Sequence, residues 1–77
     1  MQSFRLNVSI RNHPDAVAKL MLLIKQGQLS LKSMNLVASD DGTLRGQVEV
    51  VGQYQKVLWL SRKSLSFPVL ESVTLQE

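Results

Sequence analysis

Near the start of the chain, the spacing of the apolar residues changes from every second position to every third or fourth. Up to residue 10, apolar and polar residues alternate, which predicts a strand with one buried face. The apolar members of this strand are Phe4, Leu6, Val8 and Ile10. From residue 17 the helical spacing begins, with Val17, Leu20, Met21 and Ile24. The pattern therefore predicts a strand, a short loop and an amphipathic helix.

The predicted first helix runs from about residue 14 to residue 26. Pro14 suits its first turn, and Asn12 or His13 is the expected N-cap. Gly27 is the expected terminator of the helix. A helix that begins directly after a strand presents free backbone N–H groups and a positive dipole end, which suit a small anionic ligand such as an amino acid. The loop before the helix is therefore the first candidate functional site.

The remaining elements follow from the same patterns and from the turn residues between them. A second strand is predicted from about Leu29 to Ser39, after which Asp40-Asp41-Gly42-Thr43 supply hairpin-turn chemistry. The later elements are a third strand from about Leu44 to Val51, a second helix from about Tyr54 to Lys63 and a fourth strand near Leu70 to Gln76. The predicted buried faces contain Leu44, Val48 and Val50 in the third strand, and Val73 and Leu75 in the fourth.

The order of these elements is βαββαβ, which predicts a single α+β domain over residues 1–77 with the ferredoxin-like fold. In that fold a four-stranded antiparallel sheet has both helices on one face. The second strand is expected at an edge of the sheet. Because an exposed edge strand invites pairing, we expect a homodimer.

Composition narrows the class of protein. Hydrophobic residues make up 44% of the chain and charged residues 19%, which is typical of a globular domain rather than a disordered one. There is no cysteine, so disulfides and cysteine-based zinc sites are excluded. The longest apolar run covers residues 20–24, far below the ~20 residues that span a bilayer. With no signal-peptide pattern at the start, a cytoplasmic protein without membrane association is expected.

The formal net charge of +3 raises the question of nucleic-acid binding. The basic residues are scattered, and only Arg62 and Lys63 are adjacent, so no strong electrostatic footprint is present. The third strand begins Arg45-Gly46 as in RNA-recognition motifs, but Gln47 and Glu49 occupy the positions where aromatic side chains stack on bases. The sequence therefore predicts no nucleic-acid partner.

Residues that would indicate catalysis are few. His13 is the single histidine, and Asp15 lies two positions away, where side chains in a first helical turn do not face each other. The adjacent acids Asp40 and Asp41 are typical of a turn rather than of a cation site. No catalytic, metal or cofactor-binding motif is found, so the chain is predicted not to be an enzyme.

Several short segments resemble a known family. Asn7-Val8-Ser9, Arg11, Pro14 and Asp15, followed by Ser33-Met34-Asn35 and Ala38-Ser39-Asp40, resemble the regulatory subunits of acetolactate (acetohydroxyacid) synthase, especially the isozyme II type. Those subunits are single ACT domains with the βαββαβ order. The resemblance is continuous from Leu6 to Asp40 and weakens after Gly52.

The resemblance implies an effector site between two copies of the chain. ACT domains pair side by side and hold an amino acid between the loop before the first helix and the partner's edge strand. The corresponding residues here are Asn12, His13, Asp15 and Ala16 in the loop, and Ser30, Leu31 and Lys32 in the strand. The alternative is that these are only cap and edge residues.

Asp15 departs from the feedback-inhibited relatives, which have glycine at that position. Its carboxylate can occupy the helix N–H groups and would repel the carboxylate of an amino acid. Weak or absent valine binding is therefore expected.

The function implied by the resemblance is that of a non-catalytic subunit in branched-chain amino-acid biosynthesis. It would dock on and activate a catalytic large subunit of acetolactate synthase, and that subunit, not this chain, would bind thiamine diphosphate, Mg²⁺ and FAD. The alternative function is a stand-alone amino-acid-sensing ACT domain of another enzyme or regulator.

The second helix offers a docking surface. Helical spacing predicts a core side with Tyr54, Val57, Leu58 and Ser61, and an opposite side with Gln55, Lys56, Arg62 and Lys63. Trp59 falls among the basic residues of this opposite side, and an exposed tryptophan beside Arg and Lys is typical of a contact anchor. Partner docking is therefore assigned to Trp59, Arg62 and Lys63. The alternative is that Trp59 covers the edge of the core.

Overall fold

The chain forms six elements in the predicted order. A computed structural model describes residues 2–76, and the elements are β1 (Gln2–Arg11), α1 (Pro14–Gln26), β2 (Ser30–Ala38), β3 (Thr43–Gly52), α2 (Tyr54–Ser64) and β4 (Ser72–Leu75). The strands form one antiparallel sheet in the order β2-β3-β1-β4. The predicted ferredoxin-like α+β fold is confirmed, and β2 lies at an edge as expected.

The central strands β1 and β3 are long, whereas the outer strand β4 is short. β1 and β3 pair over ten residues, from Gln2 opposite Gly52 to Arg11 opposite Thr43. β4 has four residues and starts later than the predicted Leu70. The Leu70 N–H donates to the carbonyl of Phe67 at 2.9 Å, which closes a turn before the strand. Leu70 is buried, so its apolar character reflects core packing rather than strand structure.

The core lies between the sheet and the helices. The predicted apolar strand residues face it, although Phe4, Leu44 and Leu75 are only half-buried at its margin. Its buried apolar residues are Leu6, Val8, Ile10, Ala16, Leu20, Leu23, Ile24, Leu29, Val48, Val50, Val57, Leu60, Leu70 and Val73. In α1 the predicted face is partly wrong, because Leu23 is buried while Met21 and Val17 are half-buried at the margin of the core. Helical spacing allows either orientation, and the contact with the sheet selects one.

The ends of α1 follow the predicted cap chemistry. His13 is the N-cap, Pro14 occupies the first turn, and Gly27 is the C-cap, with its N–H donating to the carbonyl of Leu23 at 2.9 Å. At this end of the helix, the residue with positive φ is Gln28, at 57°, rather than Gly27. A Cβ atom on Gly27 would lie 3.1 Å from Cζ3 of Trp59. The glycine therefore makes room for the indole ring.

Over residues 2–76, no helix combines the length and apolarity needed to cross a bilayer. The cytoplasmic location stays a prediction.

Candidate functional site

The loop before α1 lies at the end of the sheet where the β2–β3 hairpin turns. The Asn12 N–H donates to the carbonyl of Gly42 at 3.0 Å, and the Arg11 N–H donates to the carbonyl of Val69 at 3.0 Å. Both the hairpin turn and the segment before β4 therefore hold the loop through backbone hydrogen bonds.

The first turn of α1 satisfies its own backbone donors. The Asp15 N–H donates to His13 Nδ1 at 3.2 Å, and the N–H groups of Ala16 and Val17 donate to the His13 carbonyl. Pro14 has no N–H. The expectation that the Asp15 carboxylate would occupy these donors is wrong, since His13 does so. The donors that would bind an anion are thus already used.

His13 and Asp15 do approach each other, contrary to the expectation from their spacing. His13 Nδ1 lies 3.7 Å from Asp15 Oδ2, and both side chains are exposed. The contact exists because His13 is the cap and has extended backbone angles, so its ring folds back over the turn. Ala16 is fully buried and its N–H donates to the His13 carbonyl, so it is not accessible to a ligand in this arrangement.

The two halves of the predicted effector site are far apart within one chain. Ser30 pairs with Val51, which pairs with Ser3 at the start of β1, whereas the loop follows Arg11 at the end of β1. Eight residues of strand separate these positions, roughly 26 Å. Only a second copy of the chain could bring Ser30, Leu31 and Lys32 beside the loop. The site therefore stays a prediction.

The two acids of the hairpin belong to the turn. Asp41 accepts hydrogen bonds from Thr43 Oγ1 at 2.6 Å and from Arg45 at 2.8 Å. The hydrogen bond from the Thr43 hydroxyl is the main cause that lowers the pKa of Asp41 below its usual 3.8. Gly42, with φ of +82°, completes the turn. Within residues 2–76, His, Cys, Asp and Glu side chains form no group of three that could hold a metal ion.

The sheet face that points away from the helices is polar. Gln47 Nε2 donates to Asn7 Oδ1 at 3.3 Å and to Gln76 Oε1 at 2.7 Å, and Arg5 pairs with Glu49 at 3.2 Å. An amide at Gln47 and a carboxylate at Glu49 occupy the positions where an RNA-binding sheet would present aromatic rings. The absence of a nucleic-acid partner stays a prediction.

β2 presents an unpaired edge with an apolar row along it. Leu31, Met34 and Leu36 pair with residues on the helix-covered face of β3 and so share that face, yet all three are exposed or half-buried. On the opposite face Val37 is 64% exposed. This row was not predicted from the sequence, although its apolar residues show near-alternating spacing.

The edge of β2 is protected at one end only. A β-bulge lies between Leu31 and Ser33, and Lys32 is the inserted residue, with Nζ 3.8 Å from Glu49. Bulges and lysines are devices that discourage edge pairing. Residues 33–38 contain no charged residue and no proline, and the bulge lies before them, so this part of the edge is unprotected.

α2 is turned differently from the prediction. Its buried residues are Val57, Leu60 and Ser64, whereas Tyr54 is 48% exposed and Leu58 is half-buried. The small Ser64 lets the helix pack closely, and the Ser61 hydroxyl donates to the carbonyl of Val73 in β4 at 2.8 Å. These contacts fix the rotation of the helix, which its apolar spacing alone leaves open.

This rotation places Trp59 at the edge of the core and in an open groove at the same time. The indole is half-buried and contacts the core, as the alternative hypothesis stated. The groove has a volume of about 420 Å³ and is formed by Gln55, Leu58, Trp59, Arg62, Lys63 and Ser66. We call it the α2 groove. Arg62 and Lys63 are exposed in it, so the three predicted docking residues do share one surface.

The fold is similar to solved structures, whereas the sequence matches no known family. No protein-family model matches the sequence, and no curated protein matches it. Among solved structures, the fold is similar to the solution structure of the C-terminal domain of the MgtC protein from Mycobacterium tuberculosis. The match has a TM-score of 0.73 at 16% identity and covers 99% of this chain and 86% of that domain. At this identity the likeness shows the fold alone.

The identification of the chain as an ACT-domain regulatory subunit of acetolactate synthase is wrong. A solved structure that matches nearly the whole chain is an MgtC domain, and no family model supports the ACT assignment. The residues that suggested it, such as Val8 and Pro14, meet general needs of a strand followed by a helix. The valine effector and the catalytic partner inferred from that assignment have no independent support.

Proposed function

We propose that the chain is a non-catalytic domain that acts as a homodimer, with two copies paired along β2. The observation that supports this most directly is the unprotected edge formed by residues 33–38, next to the apolar row of Leu31, Met34 and Leu36. Pairing two such edges would satisfy the open backbone groups and extend the sheet across both copies.

The small size of the chain favours the pairing of two copies. A chain of 77 residues buries a smaller fraction of its apolar surface than a larger domain does. The helices cover the centre of the sheet and leave the β2 margin partly uncovered. A second copy would bury the side chains of the apolar row, each of which contributes up to about 1.5–3 kcal/mol when it becomes fully buried.

We further propose that the paired domain regulates or binds another polypeptide rather than transforming a substrate. The MgtC neighbour is a C-terminal domain of a larger protein, so this fold is known there as a module beside other structure. The single histidine, His13, uses its Nδ1 to cap α1, and polar side chains of the sheet face pair with one another, which favours binding over catalysis.

The proposed dimer is tested by sedimentation velocity over a range of protein concentrations. The wild-type chain is expected to sediment as a dimer at micromolar concentrations. The double variant Leu31→Lys/Val37→Lys is expected to be monomeric, because it adds a lysine to each face of the β2 edge, and exposed charges on an edge strand oppose pairing. Both side chains are substantially exposed, so the monomer should stay folded.

The matched control is Leu65→Lys/Ser66→Lys, which adds the same charge at the end of α2. Leu65 is 78% exposed and lies away from β2, so this variant is expected to remain dimeric. A monomeric wild type, or a Leu31→Lys/Val37→Lys variant that stays dimeric with unchanged circular dichroism, would contradict the proposed pairing.

A further inference from the structure

The α2 groove combines apolar and cationic groups on one concave surface. Leu58 and Trp59 are half-buried and form its apolar part, and Arg62 and Lys63 are exposed beside them. Its volume of about 420 Å³ falls within the range of sites that bind ligands or side chains. Tryptophan and arginine are the residue types most enriched in binding hot spots.

The charge of α2 is one-sided. The helix contains Lys56, Arg62 and Lys63 and no acidic residue. The ion pairs within residues 2–76 are formed by Arg5, His13, Lys32 and Arg45, so none of the three α2 cations has an acidic partner there. Arg62 and Lys63 also lie in the last turn, where they complement the helix dipole, but that role does not require an apolar groove beside them.

We infer that the α2 groove binds an acidic segment of a partner polypeptide, which places an apolar side chain against Trp59 and its carboxylates against Arg62 and Lys63. Arg62 and Lys63 supply the charge complementarity, and the groove supplies a pocket for an anchor side chain. An anionic membrane would need several apolar side chains that protrude. Leu58 and Trp59 are half-buried, and Leu65 is the single strongly exposed apolar residue at this end of α2. The site lies on α2, which packs against β4 at the sheet edge opposite β2, so this inference does not depend on the proposed dimer.

The experiment selects ligands without bias from a displayed library of random peptides about a dozen residues long. Peptides enriched on the wild-type chain are expected to combine aspartate or glutamate with a large apolar residue. Trp59 is the single tryptophan of the chain, so its emission reports directly on the groove. Addition of an enriched synthetic peptide is expected to shift this emission, and higher salt is expected to weaken binding.

Two double variants distinguish binding at the α2 groove from a general effect of the net charge. Arg62→Gln/Lys63→Gln removes two cations from the groove, and Arg5→Gln/Arg11→Gln removes two from β1, with the same change in net charge. Peptide affinity, measured by anisotropy of a labelled peptide, is expected to fall about tenfold in the first and by less than about twofold in the second. Trp59→Ala is expected to weaken binding by about tenfold or more.

The inference is overturned by any of three results. The first is that the enriched peptides lack acidic residues. The second is that their affinity is the same for the two double variants. The third is that the chain binds phosphatidylserine vesicles but none of the enriched peptides. Thermal unfolding of each variant shows whether it is folded. If Trp59→Ala fails to fold, the Arg62→Gln/Lys63→Gln comparison decides the question.

Discussion

Replacing Gly46 with alanine is expected to destabilise the domain by at least about 3 kcal/mol. Gly46 lies in the middle of β3, and a Cβ atom there would lie within 1.8 Å of the Asn35 carbonyl oxygen and 2.9 Å of its carbon. Both are backbone atoms of β2, so no side-chain rotation can relieve the overlap. β2 would have to move away from β3, and its pairing would be disrupted. Urea unfolding followed by circular dichroism measures the loss.

Gly52→Ala is the matched control for this prediction. A Cβ atom at Gly52 would lie 2.5 Å from Cδ2 of Leu29, which is the end of a flexible side chain. Leu29 can adjust, so the expected loss is about 1 kcal/mol. Equal losses in the two variants would show that the close approach of β2 to Gly46 is not a feature of the folded chain.

Leu23→Ala is expected to destabilise the domain by about 2–5 kcal/mol, because the substitution leaves a cavity in the core. Leu23 is 1% exposed, and its neighbour Leu22 is 42% exposed. Leu22→Ala removes the same atoms from the next position of α1 and is expected to cost less than about 1 kcal/mol. Chemical denaturation of both variants under the same conditions gives the two values.

A third variant, Met21→Ala, tests the orientation of α1. The predicted apolar face contains Met21 and does not contain Leu23, whereas the structure buries Leu23 and half-buries Met21. A large loss for Met21→Ala with little loss for Leu23→Ala would restore the orientation that the spacing predicts.

Much of the fold is predictable from local patterns. Alternation identified β1 and β3, and their ten-residue pairing has the expected faces inward. Pro14 and Gly27 marked the ends of α1, and Asp41 with Gly42 marked the hairpin. These features are predictable because each depends on residues close together in the chain.

The candidate site was less predictable. Arg62 and Lys63 were correctly grouped with Trp59, since they lie within one turn of the same helix. The packing of the indole on Gly27, 32 positions earlier, has no local signal. A glycine within a strand pattern does indicate a close approach of backbone, and this signal was present at Gly46.

The sequence by itself determined the order of the elements, the inward faces of the strands and the ends of α1, because hydrophobic spacing and cap chemistry act over a few residues. Only the tertiary structure decided the rotation of both helices and the formation of the α2 groove. These depend on which distant side chains fill the space between sheet and helices, and several arrangements have the same apolar spacing.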